Sequence, residues 1–100
     1  VTSVPVGARE IGAVCVAGGR ARLFAHRRRE AVPRGTGDLV AAVFTAGLIG
    51  GADPFTAAER ALRAAAEAVE AAAEWSAPEL PLVALGARIA RPRAALRIEE

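Results

Sequence analysis

The apolar positions change their rhythm along the chain. Ile11 to Ala17 is a nearly continuous apolar, partly β-branched run, Arg20 to His26 alternates imperfectly, and Gly18 and Gly19 stand between them. Two such runs across a Gly-Gly pair predict a β-hairpin, because positive φ at both turn residues matches the twist of the flanking strands. Ahead of the hairpin, Val1 to Val4 predicts the end of a strand, stopped by Pro5. Leu39 to Ile49 is apolar on every side, which predicts a helix enclosed over most of its surface and ended by Gly50 and Gly51. Asp53 and Pro54 then supply an N-cap and a first-turn residue for a second helix. In it Phe55, Ala58, Leu62, Ala65, Val69 and Ala72 recur at steps of three and four, and Glu59 precedes Arg63 by four. The period is too short and too rich in Ala for a coiled-coil seam, so it predicts a helix lying on a sheet.

Further on, Ser76 to Pro78 breaks the pattern and residues 80–85 predict a short final strand between prolines and a glycine. Arg27 to Glu30 reads as a charged, solvated bend leading to Pro33. Strands, a β-hairpin, two helices and a final strand make a mixed α/β piece, with strands too few to close a satisfactory sheet alone.

Composition narrows the class. One hundred residues, 53% of them apolar, make one small domain with ample material for a core. The chain opens at Val1 and contains no Met, so it reads as a piece of a longer product. The longest uncharged run, Leu39 to Ala52, is too short to cross a bilayer comfortably, and no segment has the form of a secretion signal. A chain with no membrane contact, in the cytoplasm, is expected. Cys15 stands alone between Val14 and Val16, which excludes an internal disulfide, gives no metal spacing with the single His26, and predicts a buried, inert thiol. Charge is divided: residues 1–34 hold seven Arg against two Glu, whereas residues 35–80 hold two Arg against seven acids. With few aromatics and no basic helix beside it, the basic front half does not predict a nucleic-acid surface, while a small phosphate ligand suits the same charge.

Gly35-Thr36-Gly37-Asp38 is where chemistry gathers, because it opens the apolar helix. The first helical turn leaves amides without intrahelical partners, and the aligned peptide dipoles add about half a positive charge. Glycines on either side of Thr36 allow a sharp turn and let a phosphate approach without meeting a Cβ. Asp38 has two readings. As a helix cap its carboxylate contributes about 1 kcal/mol. Turned toward a substrate hydroxyl, it accepts the proton of an attacking alcohol while the amides hold a transferring phosphoryl group.

The wider stretch VPRGTGDLVAAVFTAGLIGG resembles the signature of the ribokinase superfamily, in which a G-T/A-G-D segment opens a buried helix. VTSVP at the start and ELPLVALGARIARPRAAL at the end look like the corresponding segments of pyridoxal kinases. The resemblance implies that residues 1–100 are the C-terminal, nucleotide-binding and catalytic portion of a ribokinase-like α/β kinase domain whose N-terminal part is absent. It implies ATP-dependent phosphorylation of the pyridoxal 5′-hydroxyl to pyridoxal 5′-phosphate, with ATP and Mg²⁺ as cofactors, pyridoxal or related pyridoxine vitamers as partners, and a homodimer of the full-length protein. Asp38 is then the catalytic base, and Gly35, Thr36 and Gly37 are the anion hole around the γ-phosphate. Thr2 and Ser3 match a Thr-Ser pair that contacts nucleotide. Arg27 and Arg28 fall in the bend, from His26 to Arg29, that lines the ATP site. The acidic residues expected to organise Mg²⁺ are not in this stretch, so no metal ligand is assigned, and catalysis by the hundred residues alone is not expected. Two other readings stand beside this one: a hydroxymethylpyrimidine or other kinase of the same superfamily, and a truncated, non-catalytic α/β module that binds nucleotide or a partner.

Overall fold

A computed structural model describes residues 1–29, 35–74 and 82–100. Four strands, β1 (Val4–Val6), β2 (Glu10–Ala17), β3 (Arg20–Arg27) and β4 (Arg97–Glu99), and three helices, α1 (Thr36–Ile49), α2 (Pro54–Glu74) and α3 (Leu82–Ala90), follow in the order β1-β2-β3-α1-α2-α3-β4. The strands form one antiparallel sheet in sequence order, β1-β2-β3-β4.

The hairpin turns where expected. Gly18 and Gly19 have φ of 58° and 75°, so Ala17 pairs directly with Arg20. Pro5 does not stop β1. It pairs with Ile11 on the sheet edge, where a proline's missing donor costs no ladder bond.

The Asp53 cap is as expected, its Oδ1 accepting from the amides of Phe55 and Thr56 at 3.0 and 3.2 Å. From that start α2 runs through the centre of the molecule. Ala57, Ala61, Ala64, Ala68 and Ala71, spaced by four and three, are fully buried. Small side chains let neighbours approach closely: a Cβ placed on Gly47 of α1 would lie 3.0 Å from that of Ala57. One core cluster joins Ala13 and Phe24 of the sheet to Ala58, Ala61 and Leu62 of α2, with Val40 and Phe44 of α1 packed against it. A second joins Leu39 of α1 to Ala68, Ala71 and Ala72 of α2, with Ile89 of α3 against it.

Further expectations need correction. Helix α1 is not enclosed: Leu39 is its one buried residue, while Leu48 and Ile49 are 41% and 83% exposed. Apolar residues run all round it, but α2 and the sheet meet only one side. The segment expected as a final strand is helical from Leu82, residues 80 and 81 lying outside the described residues. Leu and Ala, strong helix formers, dominate it, and its last turn carries Arg88, which reaches Glu67 at 3.0 Å and Glu74 at 3.5 Å on α2. The last strand lies further on and adds to β3 through the Phe24–Ile98 pair. Cys15, expected to be buried, is only half-buried, its thiol 3.7 Å from the carbonyl of Pro54.

Candidate functional site at the start of helix α1

The chain enters α1 through Gly35, whose φ of 97° lies in the left-handed region that a side chain disfavours. The first intrahelical bond runs from the Leu39 amide to the Gly35 carbonyl at 2.9 Å, so the amides of Gly37 and Asp38 belong to the open first turn. Gly37 has no need of a glycine for its own packing. A Cβ built on it meets nothing within 4 Å and its φ is not left-handed, although glycine in a helix is about 0.8–1.0 kcal/mol less favourable than alanine.

A cavity of about 150 Å³ opens beside this turn. Thr36 and Gly37 line it together with Thr2, Ser3, His26 and Arg29, over an apolar floor that includes Val40, Leu62 and Val69. Thr2 and Ser3, a whole hairpin away in sequence, are thus brought to the glycine turn. Ser3 has φ 57°. A left-handed residue other than glycine costs on the order of 1–2 kcal/mol, and such strain gathers at functional sites.

Asp38 is exposed on the first turn of α1 and, like Gly35, is not among the residues that line this cavity. Among the described residues no hydrogen bond or ion pair engages its carboxylate, and α1 has no side-chain cap. The cap reading therefore fails: the N-cap is Gly35, and the Asp38 carboxylate is exposed and not engaged by the helix end.

Arg27 and Arg28 are exposed and line a separate, open cleft of about 890 Å³ with Arg9. That cleft meets the first cavity at Ile11 and Arg29. The bend thus does reach the glycine turn, but through His26 and Arg29. His26, already placed in that bend, also follows from alternation, since it sits two residues beyond buried Phe24 on the same strand. No such period reaches Arg29, which lies past the end of β3. Arg29 Nε donates to Glu70 Oε1 of α2 at 2.8 Å. Through that hydrogen bond Arg29 holds the Glu70 carboxyl below the usual carboxylate range, against the opposing effect of burial.

Open amides and the bare Cα of Gly37 suit an anion such as a phosphate. Mg²⁺ finds no ready site: among the described residues no three acidic, His or Cys side chains gather to hold a metal. Among them also, no helix is long and apolar enough to cross a membrane.

No protein-family profile and no curated protein matches the chain. Solved structures do. Pyridoxal kinase from Leishmania donovani in complex with ADP aligns with a TM-score of 0.65 and 20% identity over 89% of this chain. The same enzyme in complex with ADP and pyridoxine aligns with a TM-score of 0.64 at the same identity and coverage. The chain carries a pyridoxal kinase-like fold. It spans 30% of the length of those two structures. The four-stranded sheet with its helices is therefore a partial pyridoxal kinase-like, ribokinase-type architecture, and the expected fold class is borne out.

Proposed function

We propose that this chain carries the phosphate-holding and proton-accepting part of an ATP-dependent kinase of the ribokinase type whose acceptor is the 5′-hydroxyl of pyridoxal. The observation that supports it is the first turn of α1: open amides at Gly37 and Asp38, a glycine there that the fold itself does not need, and an exposed Asp38 whose carboxylate has no partner among the described residues. The neighbouring structures, complexes with ADP and pyridoxine, share that fold.

The chemistry asks little covalent work of the protein. An alcohol oxygen bonds to the γ-phosphorus, the bond from that phosphorus to the bridging oxygen breaks, ADP leaves, and the alcohol proton passes to Asp38. Amides aimed at the equatorial oxygens stabilise the charge spread over them, and Asp38 acts only as the proton leaves. ATP supplies the phosphoryl group. Thr2 and Ser3 face the same cavity and would contact the nucleotide.

The test is Asp38→Asn in the protein as its gene encodes it, assayed with pyridoxal and, in parallel, hydroxymethylpyrimidine. Turnover falls by about 10²–10⁴-fold, the contribution of a general base, while ATP affinity stays within a few fold because the amides are untouched. Equal turnover in both proteins defeats the assignment, and a preference for hydroxymethylpyrimidine moves the substrate within the superfamily. ATP binding without turnover of either alcohol would mark a non-catalytic nucleotide module.

A further inference from the structure

One permanently charged side chain reaches the cavity at the start of α1 from the described residues around it, and it is held in place from behind. Arg29 borders three adjoining hollows: that cavity, the open cleft shared with Arg27 and Arg28, and a third of about 420 Å³ that extends to Glu67, Glu70 and Arg88. Its guanidinium is docked on Glu70, Nε to Oε1 at 2.8 Å and Nη2 to Oε2 in a second, shorter contact. The two side chains are 30% and 34% exposed, so the pair is half-withdrawn from water. Glu70 follows Val69, which lines the cavity floor, and itself lines the adjoining hollow that Arg29 shares.

We propose that Arg29 is a phosphate-contacting residue of the nucleotide site and that Glu70 is its positioning residue. The proposal rests on the start of α1 being that site. A nucleotide polyphosphate carries several negative charges, whereas a helix start supplies about half a positive one, and the Thr2, Ser3 and Thr36 hydroxyls on the cavity wall are neutral. Geometry then assigns the roles. A guanidinium has five N–H donors in a rigid fork; Glu70 engages one edge, and three donors remain for an incoming oxyanion. Because the fork is already fixed, little side-chain freedom is lost when the phosphate arrives. The lowered titration of Glu70 keeps it ionised, and the pair intact, through neutral pH.

The experiment is calorimetric titration of the protein as encoded in full with ATP and, as a phosphate-free control, adenosine, with melting temperatures recorded for every variant. Arg29→Ala weakens ATP binding about tenfold, as loss of a charged hydrogen bond does, and leaves adenosine binding unchanged. Arg29→Lys does not restore ATP, because an ammonium cannot hold the bidentate edge. Glu70→Gln weakens ATP about threefold, and adds nothing in the Arg29→Ala background. Should Arg29→Ala fail to fold, weaker ATP binding by Arg29→Lys, with adenosine unchanged, carries the same test. The proposal is overturned if the Arg29 variants bind ATP like the wild type, if adenosine weakens in step, or if Glu70→Gln binds ATP more tightly. A wild-type protein that does not bind ATP overturns the underlying phosphate-site reading instead, so the two failures are told apart.

Discussion

Two glycines that look alike in the sequence do opposite things. A Cβ on Gly12 would stand 2.3 Å from the carbonyl oxygen of Phe24, inside the β2–β3 ladder, whereas a Cβ on Gly37 meets nothing. Backbone atoms cannot yield as a flexible side chain can, so Gly12→Ala must push β2 off β3. Gly37→Ala costs the fold nothing and removes a helical glycine. The expectation is a crossed pair of results. Gly12→Ala lowers the melting temperature by several degrees, whereas Gly37→Ala keeps or raises it and weakens ATP binding by about tenfold or more, since the new methyl occupies the approach to the open amides. Thermal melts by circular dichroism and ATP titration of both variants check it. A Gly37→Ala protein that binds ATP normally would remove the main reason for a glycine at that position.

At the scale of the element, α2 depends on its start. Asp53 caps the helix through the Phe55 and Thr56 amides and also accepts from the Thr56 hydroxyl at 2.6 Å. That hydroxyl bond, and then the Thr56 amide, hold the Asp53 carboxyl below its ordinary value of 3.8. The sign follows: a carboxyl with a lowered folded-state pKa stabilises the fold above the ordinary value and ceases to do so as acid protonates it. Asp53→Ala therefore lowers the melting temperature at pH 7 by about 4–8 °C, and the gap to wild type closes as the pH falls below 3.8. A gap that persists into acid would show that Asp53 acts by something other than its charged cap.

This cap was legible because Asp-Pro is a local signal, as were the Gly-Gly hairpin and the three-four period of α2. Other features were not. Residues 80–85 lie between turn signals and are short and apolar, so strand and helix read alike there. What tips Leu82–Ala90 to helix is tertiary, Arg88 bonding to a Glu67 that also accepts from the Arg93 amide at 3.1 Å. A sequence apolar on all sides, as in α1, shows how much of a helix can be covered and not how much is. At the site, the glycine turn and Asp38 were readable from helix-end physics. Arg29 was not, since its role depends on Glu70, 41 residues away.

Among the described residues of the molecule the core is made mostly of alanine. Phe24 is the one large side chain that is fully buried among the described residues, and it sits where the sheet meets Ala58, Ala61 and Leu62 of α2. Alanine packs closely but removes little apolar surface from water per residue, so the hold of the helices on the sheet is concentrated at this ring. Replacing a buried phenylalanine by alanine typically costs about 3–5 kcal/mol, against a total of about 5–15 kcal/mol for a folded domain. Phe24→Ala is therefore expected to remove a large share of the stability and shift the urea midpoint far down, and Phe24→Leu, which keeps most of the volume, to lower it much less. Ile49→Glu, at the 83% exposed end of α1, changes stability by no more than about 0.5 kcal/mol. Urea titrations of the three variants followed by far-ultraviolet circular dichroism decide the matter. Similar midpoints for Phe24→Ala and Ile49→Glu would mean that the alanine seam between α1 and α2, and not the ring at Phe24, keeps the glycine turn facing Thr2 and Ser3.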